Sequence, residues 1–133
     1  MLKFAEWLAN EVTAYHWTTD EDGFGEFGDG HLGSNNEGVP SSAMGHWFSL
    51  DKSEADDYFN TNGYGRVITA NLNVYNLYNM SEDDFYDYDS GGSNKTFQDA
   101  NQLKQQLISQ GYDGIKVGGW VCVFDPSKIR IIN

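Results

Sequence analysis

The sequence predicts an α+β domain, and three observations predict it. Residues Val67 to Tyr75 alternate, with Ile68, Ala70, Leu72 and Val74 on one side, the period of a half-buried strand. Thr96 opens a helix with Asp99 three residues on, and Gly111 closes it; Phe97, Ala100, Leu103 and Leu107 are expected to face inward. Short strands follow at Ile115 to Val117, Trp120 to Phe124 and Ile129 to Ile132. Besides an N-terminal helix, two helices and five or six strands with few parallel crossovers argue α+β rather than a wound parallel sheet.

The remaining elements follow in chain order. Leu2, Ala5, Ala9 and Val12 recur at helical spacing, so residues 1–11 read as an amphipathic N-terminal helix. Val12 to Thr18, rich in β-branched and aromatic residues, reads as a strand. Residues 20–45 form a long loop dense in Gly, Asp, Ser and Asn. Its Gly23-Phe24-Gly25-Glu26-Phe27-Gly28 has the letters of a dinucleotide fingerprint. It opens no helix, however, and Asp22, Glu26 and Asp29 would repel a pyrophosphate. Trp47 ends a second strand. Asp51 then caps a helix with Glu54 in the spacing of a capping box, and Ala55, Tyr58 and Phe59 share one face of it. Residues 76–94 read as a second long loop holding Glu82, Asp83, Asp84, Asp87 and Asp89, whose oxygen spacing fits no EF-hand. The whole, residues 1–133, reads as one domain.

Composition narrows the function classes. Apolar content of 39% with 15% aromatics excludes disorder over the whole chain. No stretch approaches the roughly 18 apolar residues of a membrane span, and the first dozen residues lack a signal-peptide pattern. With its single Cys122, which reads as a core residue of an apolar strand, the chain is expected in the cytoplasm. Twenty acids against eight bases give a net charge of -12, with no Lys or Arg between Lys3 and Lys52 or between Arg66 and Lys95. Such a surface repels phosphates, so direct nucleic-acid binding is not expected. It suits solubility, a basic protein partner, or mimicry of nucleic acid before one. His16, His31 and His46 show no zinc spacing, and there is no metal site to assign.

Two segments carry chemistry: Tyr15-His16-Trp17-Thr18 and Trp47-Phe48-Ser49, the latter followed by Tyr58. Taken singly, each ring and the histidine read as core. Together, two aromatic walls with a histidine nearby suit a flat heteroaromatic ligand held by stacking and a hydrogen bond.

Those segments, with Ala55, Gly111 to Ile115 and Val121 to Ile129, stand in an order that resembles the ADP-ribosyltransferase fold. The likeness is to the diphtheria-toxin and poly(ADP-ribose)-polymerase kind, especially the small versions in phage polyvalent proteins, and spans about residues 12 to 132. It implies a split mixed β-sheet around a nicotinamide cleft, NAD as substrate, and mono-ADP-ribosylation of a host protein by a phage counter-defence factor. By this resemblance His16 bonds a ribose hydroxyl and the Trp17 backbone takes the nicotinamide amide beside Thr18. Trp47, Phe48, Ser49 and Tyr58 line the ring pocket; for the diphosphate, the few bases of this acidic chain leave Arg66 and Lys52 as the candidates.

Two positions depart from the family pattern. Trp17 stands where Gly is usual, and Gly119 or Trp120 stands where the catalytic Glu begins the last-but-one strand. His16 and Tyr58 remain as catalytic candidates, with Asp113, Asp125 or Glu37 to supply the acid; Asp113 is expected to cap its own turn in any case. Trp120-Val121-Cys122 is similar to a strand of some phage anti-CRISPR ADP-ribosyltransferases that also depart from the usual acid. Two functions are therefore carried forward: a transferase, and an inactive binding protein or acidic inhibitor on the same fold.

Overall fold

A computed structural model describes residues 11–18, 40–63, 65–89 and 95–132. The expected N-terminal helix, most of the 20–45 loop, Glu37, and the side chains of Thr18, Tyr58 and Phe59 lie outside the described residues.

The described residues form a seven-stranded mixed sheet with three α-helices, an α+β architecture. The strands are β1 (Glu11–Thr18), β2 (His46–Ser49), β3 (Arg66–Asn73), β4 (Leu77–Asn79), β5 (Gly114–Val117), β6 (Trp120–Val123) and β7 (Ile129–Ile131). The helices are α1 (Lys52–Asn62), α2 (Glu82–Asp89) and α3 (Phe97–Ser109). The sheet order is β4-β5-β6-β2-β1-β3-β7, with β4 and β5 parallel and every other neighbour antiparallel.

The alternation read in the third strand is what the fold uses. Ile68, Ala70, Leu72 and Val74 are buried, and with Ala14, Phe48, Val121 and Val123 they line the inner side of the sheet. A second cluster, including Met44, Met80, Ala100, Leu107, Ile115, Cys122 and Phe124, fills the space between β5, β6 and the two later helices.

The helix at Thr96 forms as its local signals dictate. Thr96 Oγ1 accepts the Asp99 N–H and the Asp99 carboxylate accepts the Thr96 N–H, a complete capping box. Gly111, at φ +92°, takes the left-handed turn beyond the helix that a side chain would resist. Ala100 and Leu107 are buried as expected, but Phe97 is 42% exposed, so the first turn lies outside the core. Lys104 instead joins the buried face of α3.

The stretch 76–94 is not a continuous loop. Its first part is β4, and Glu82–Asp89 is helical. Ser81 Oγ caps α2 by accepting the Asp84 N–H, the acids of its first turn favour the positive end of the helix, and Phe85 and Tyr88 anchor it to the second cluster. Two aromatics among the acids are enough to fix a helix whose other residues, Tyr86 included, are exposed.

Candidate functional site

The site is built on a breach in the sheet. β1 pairs with β3 along its whole length, from Glu11 opposite Asn73 to Thr18 opposite Arg66. Along its other edge β1 meets β2 at one register position among the described residues, Tyr15 opposite Ser49. Beyond that point the strands are bridged by a side chain: His16 Nδ1 lies 2.8 Å from the carbonyl oxygen of Trp47.

A carbonyl can only accept, so Nδ1 carries the proton, and in the neutral ring Nε2 presents the lone pair. Burial holds the His16 pKa below its ordinary value; the bond to Trp47 opposes this, and the charge of nearby His46 adds to it. The imidazole also leans on Phe48, with ring centroids 5.5 Å apart. His16 is therefore a neutral acceptor fixed in orientation by the neighbouring strand.

Side chains of β2 leave it alternately. Phe48 enters the inner core, whereas Trp47 packs on the other side, against Phe85 of α2 at 4.9 Å between centroids, and its indole N–H donates to the Ser41 carbonyl at 2.8 Å. His16 thus touches the backbone of Trp47, and the indole, half-buried, is held by α2 and the 3-10 turn Pro40–Ala43. Trp17, next along β1, pairs with Val67. By alternation it leaves the strand on the side opposite His16.

Ser49 is fully buried at the point where the strands meet. Its Oγ accepts the Asp51 N–H (3.0 Å) and shares its proton between the Asp51 carbonyl (2.9 Å) and Glu54 Oε2 (3.3 Å). The expected capping box at α1 does not form. Asp51 Oδ1 takes the Ser53 N–H, as a cap should, but Glu54 turns to Ser49 rather than back to the Asp51 N–H. Ala55 is buried on the inward side of α1, as expected, and Tyr58 follows on that helix.

Arg66 starts β3 opposite Thr18, at the end of β1 just past His16. Lys52 is paired with Asp56 at 2.8 Å on the surface of α1. The acids nominated by sequence sit elsewhere. Asp113 accepts the N–H groups of Tyr75 (2.6 Å) and Asn76 (3.0 Å), one on each oxygen, and β6 and β2 stand between its strand and β1. The carboxylate thus clamps a distant segment of backbone rather than capping its own turn as expected, and the structure does not bring it to His16. Asp125 caps the 3-10 turn Pro126–Lys128; its bonds to Ser127 hold the carboxyl below the usual range. Cys122 is fully buried, and desolvation pushes its thiol well above the ordinary value, which leaves it inert.

Sequence reasoning missed the bond between Glu54 and Ser49 and the support that Phe85 gives Trp47. Glu54 was hidden by a plausible local use, and Phe85 lay in a segment without helical periodicity. Among the described residues there is no group of metal-ligating side chains, and no helix long and apolar enough to cross a membrane.

This fold, with its histidine-bridged breach, is that of an ADP-ribosyltransferase domain. The chain belongs to the family described as ADP-Ribosyltransferase in polyvalent proteins, whose profile matches residues 11–133. No curated protein and no solved structure matches it.

Proposed function

We propose that this protein binds NAD at the breach between β1 and β2 and transfers ADP-ribose to a protein. The observation that carries this reading is the His16 bond to the Trp47 carbonyl, which aims a neutral Nε2 acceptor for a ribose hydroxyl to meet. Trp47 and Tyr58 are the walls for the nicotinamide ring, with Trp47 braced by Phe85 and Ser41. Arg66 is the better placed cation for the diphosphate, since Lys52 is engaged by Asp56. The acceptor is a protein of the host cell, met in the cytoplasm, and the net charge of -12 favours a target with a basic surface over a nucleic acid. Counter-defence in a phage infection fits this activity.

A second reading has its own support. Gly119 or Trp120 stands where the resembled family has its carboxylate, so a chain that holds NAD without cleaving it would act as a binding protein. Titration calorimetry with NAD and with nicotinamide tests the pocket: both bind, and Trp47→Ala or Tyr58→Ala abolishes the heat. No heat from the wild type at millimolar ligand overturns the NAD reading. Mass spectrometry of a cell lysate incubated with labelled NAD then separates transferase from binder, through a modified protein or none.

A further inference from the structure

Three segments converge at the mouth of the breach. Ser49 is the residue at which β2 meets β1, and across the ladder on its other side it faces Trp120, the first residue of β6. One residue on, the Leu50 N–H donates to the Gly119 carbonyl at 2.8 Å. The carboxylate delivered to this junction comes from α1: Glu54 Oε2, 3.3 Å from Ser49 Oγ.

Glu54 is not needed where it would ordinarily serve. At the start of α1, Asp51 Oδ1 already accepts the Ser53 N–H, and the Asp51 N–H is already satisfied by Ser49 Oγ. The Ser49 proton lies nearer the Asp51 carbonyl than Glu54, so the carboxylate keeps most of its accepting capacity. A partly buried acid, positioned by a fully buried serine and unused by its own helix, calls for another purpose.

We propose that Glu54 is the catalytic carboxylate of this protein, supplied from α1 to the junction where Gly119 and Trp120 offer none. The inference rests on the NAD reading above. In the reaction, the bond between ribose C1′ and the nicotinamide nitrogen breaks, and its electron pair stays on that nitrogen, so nicotinamide leaves neutral. The cation developing at C1′ is stabilised by the Glu54 charge. A lone pair of water, or of the acceptor side chain, forms the new bond to C1′, and the proton it releases passes through Glu54 to solvent. Glu54 forms no covalent bond.

Glu82 is the rival. Its Oε1 lies by Gly118 in the β5–β6 turn, where a Cβ would meet it at 3.1 Å. It is exposed, however, and heads α2, where a negative charge already has a use at the helix terminus.

The test uses the full chain, NAD, NADH and their calorimetry, together with nicotinamide release into water. Glu54→Gln is expected to lower release on the order of 10²–10³-fold. It should also narrow the preference for NAD over NADH several-fold, because the oxidised ring is cationic and the reduced ring neutral. Glu54→Asp, which keeps the charge on a shorter arm, retains that preference while losing rate. Glu82→Gln changes neither. A Glu54→Gln protein that binds NAD and releases nicotinamide at the wild-type rate overturns the proposal, as does loss of rate in Glu82→Gln alone. A wild type that binds NAD but releases nothing also overturns it and leaves the NAD pocket standing. A wild type that binds no NAD removes the pocket itself.

Discussion

The two edges of β1 make opposite use of the same strand. Toward β3 it is paired residue by residue, and Ala14, Ile68, Ala70 and Leu72 bury their side chains in that half of the inner core. Toward β2 one register position is found among the described residues, Tyr15 opposite Ser49, and an imidazole binds the Trp47 carbonyl beyond it. The first edge is built for stability: alternate pairs carry the main-chain bonds, and Ala14, Ile68, Ala70 and Leu72 supply the buried groups. The second gives up regular pairing in exchange for a side chain whose orientation and protonation are fixed. A cleft in a sheet need not come from a loop; it can come from ending a ladder early.

The largest effect is expected in a fully closed seam. At Gly114 an added Cβ would lie 2.3 Å from the Cys122 carbonyl oxygen, and neither strand can yield while β4 and β6 flank β5. Gly114→Ala should therefore cost about 3 kcal/mol or more, read as a fall in the thermal midpoint or as failure to fold. Leu72→Ala, in the paired edge of β1, should cost about 2–4 kcal/mol and leave NAD affinity unchanged in the protein that remains folded. His16→Asn, in the open edge, inverts that pattern. It removes one neutral hydrogen bond, about 1 kcal/mol of stability, but weakens NAD at least about tenfold if the lost acceptor is worth 1.4 kcal/mol. Stability and affinity that fall together in both variants would erase the distinction between the edges.

The smallest effect is one of pH. His16 is held below its ordinary value of 6.5 in the folded chain, so the unfolded chain takes up the proton first. Its contribution is whole above pH 6.5 and is lost as pH falls from there toward the depressed folded value. Thermal midpoints measured from pH 7.5 to 5.5 should drop more for wild type than for His16→Asn; parallel curves would show that His16 does not titrate with folding.

What the sequence made legible was what local chemistry decides. Thr96 and Asp99 cap each other within one turn, Gly111 ends that helix by its own backbone freedom, and the alternation of β3 depends on its two faces alone. The order of the motifs pointed to the fold, and the structure has it. Helix α2 was not legible because its hold is tertiary: Phe85 packs at a tilt against Trp47, far back in the sequence, and the acids around it read as loop. The site was legible in part. His16 and the β2 segment do come together, yet the sequence placed the histidine beside the Trp47 ring, whereas it binds that residue's carbonyl. Glu54 obeyed a helix-capping pattern on paper and a serine on the adjacent strand in the fold. Asp113 was read as a candidate acid and a turn cap at once, and only spatial neighbours separate those roles.

The Asp113 clamp bears on how the chain finds this fold. β4 and β5 form a parallel pair, and between them run α2 and α3, so their pairing must close a long stretch of chain. Asp113 reaches back 38 and 37 residues to Tyr75 and Asn76, immediately before β4 begins, and stands itself immediately before β5. Two charge-assisted bonds there set the origin of both strands at once. Once they form, Leu77 opposite Gly114 is the nearest register, and the rest of the ladder can zip from a shared starting line rather than search for one.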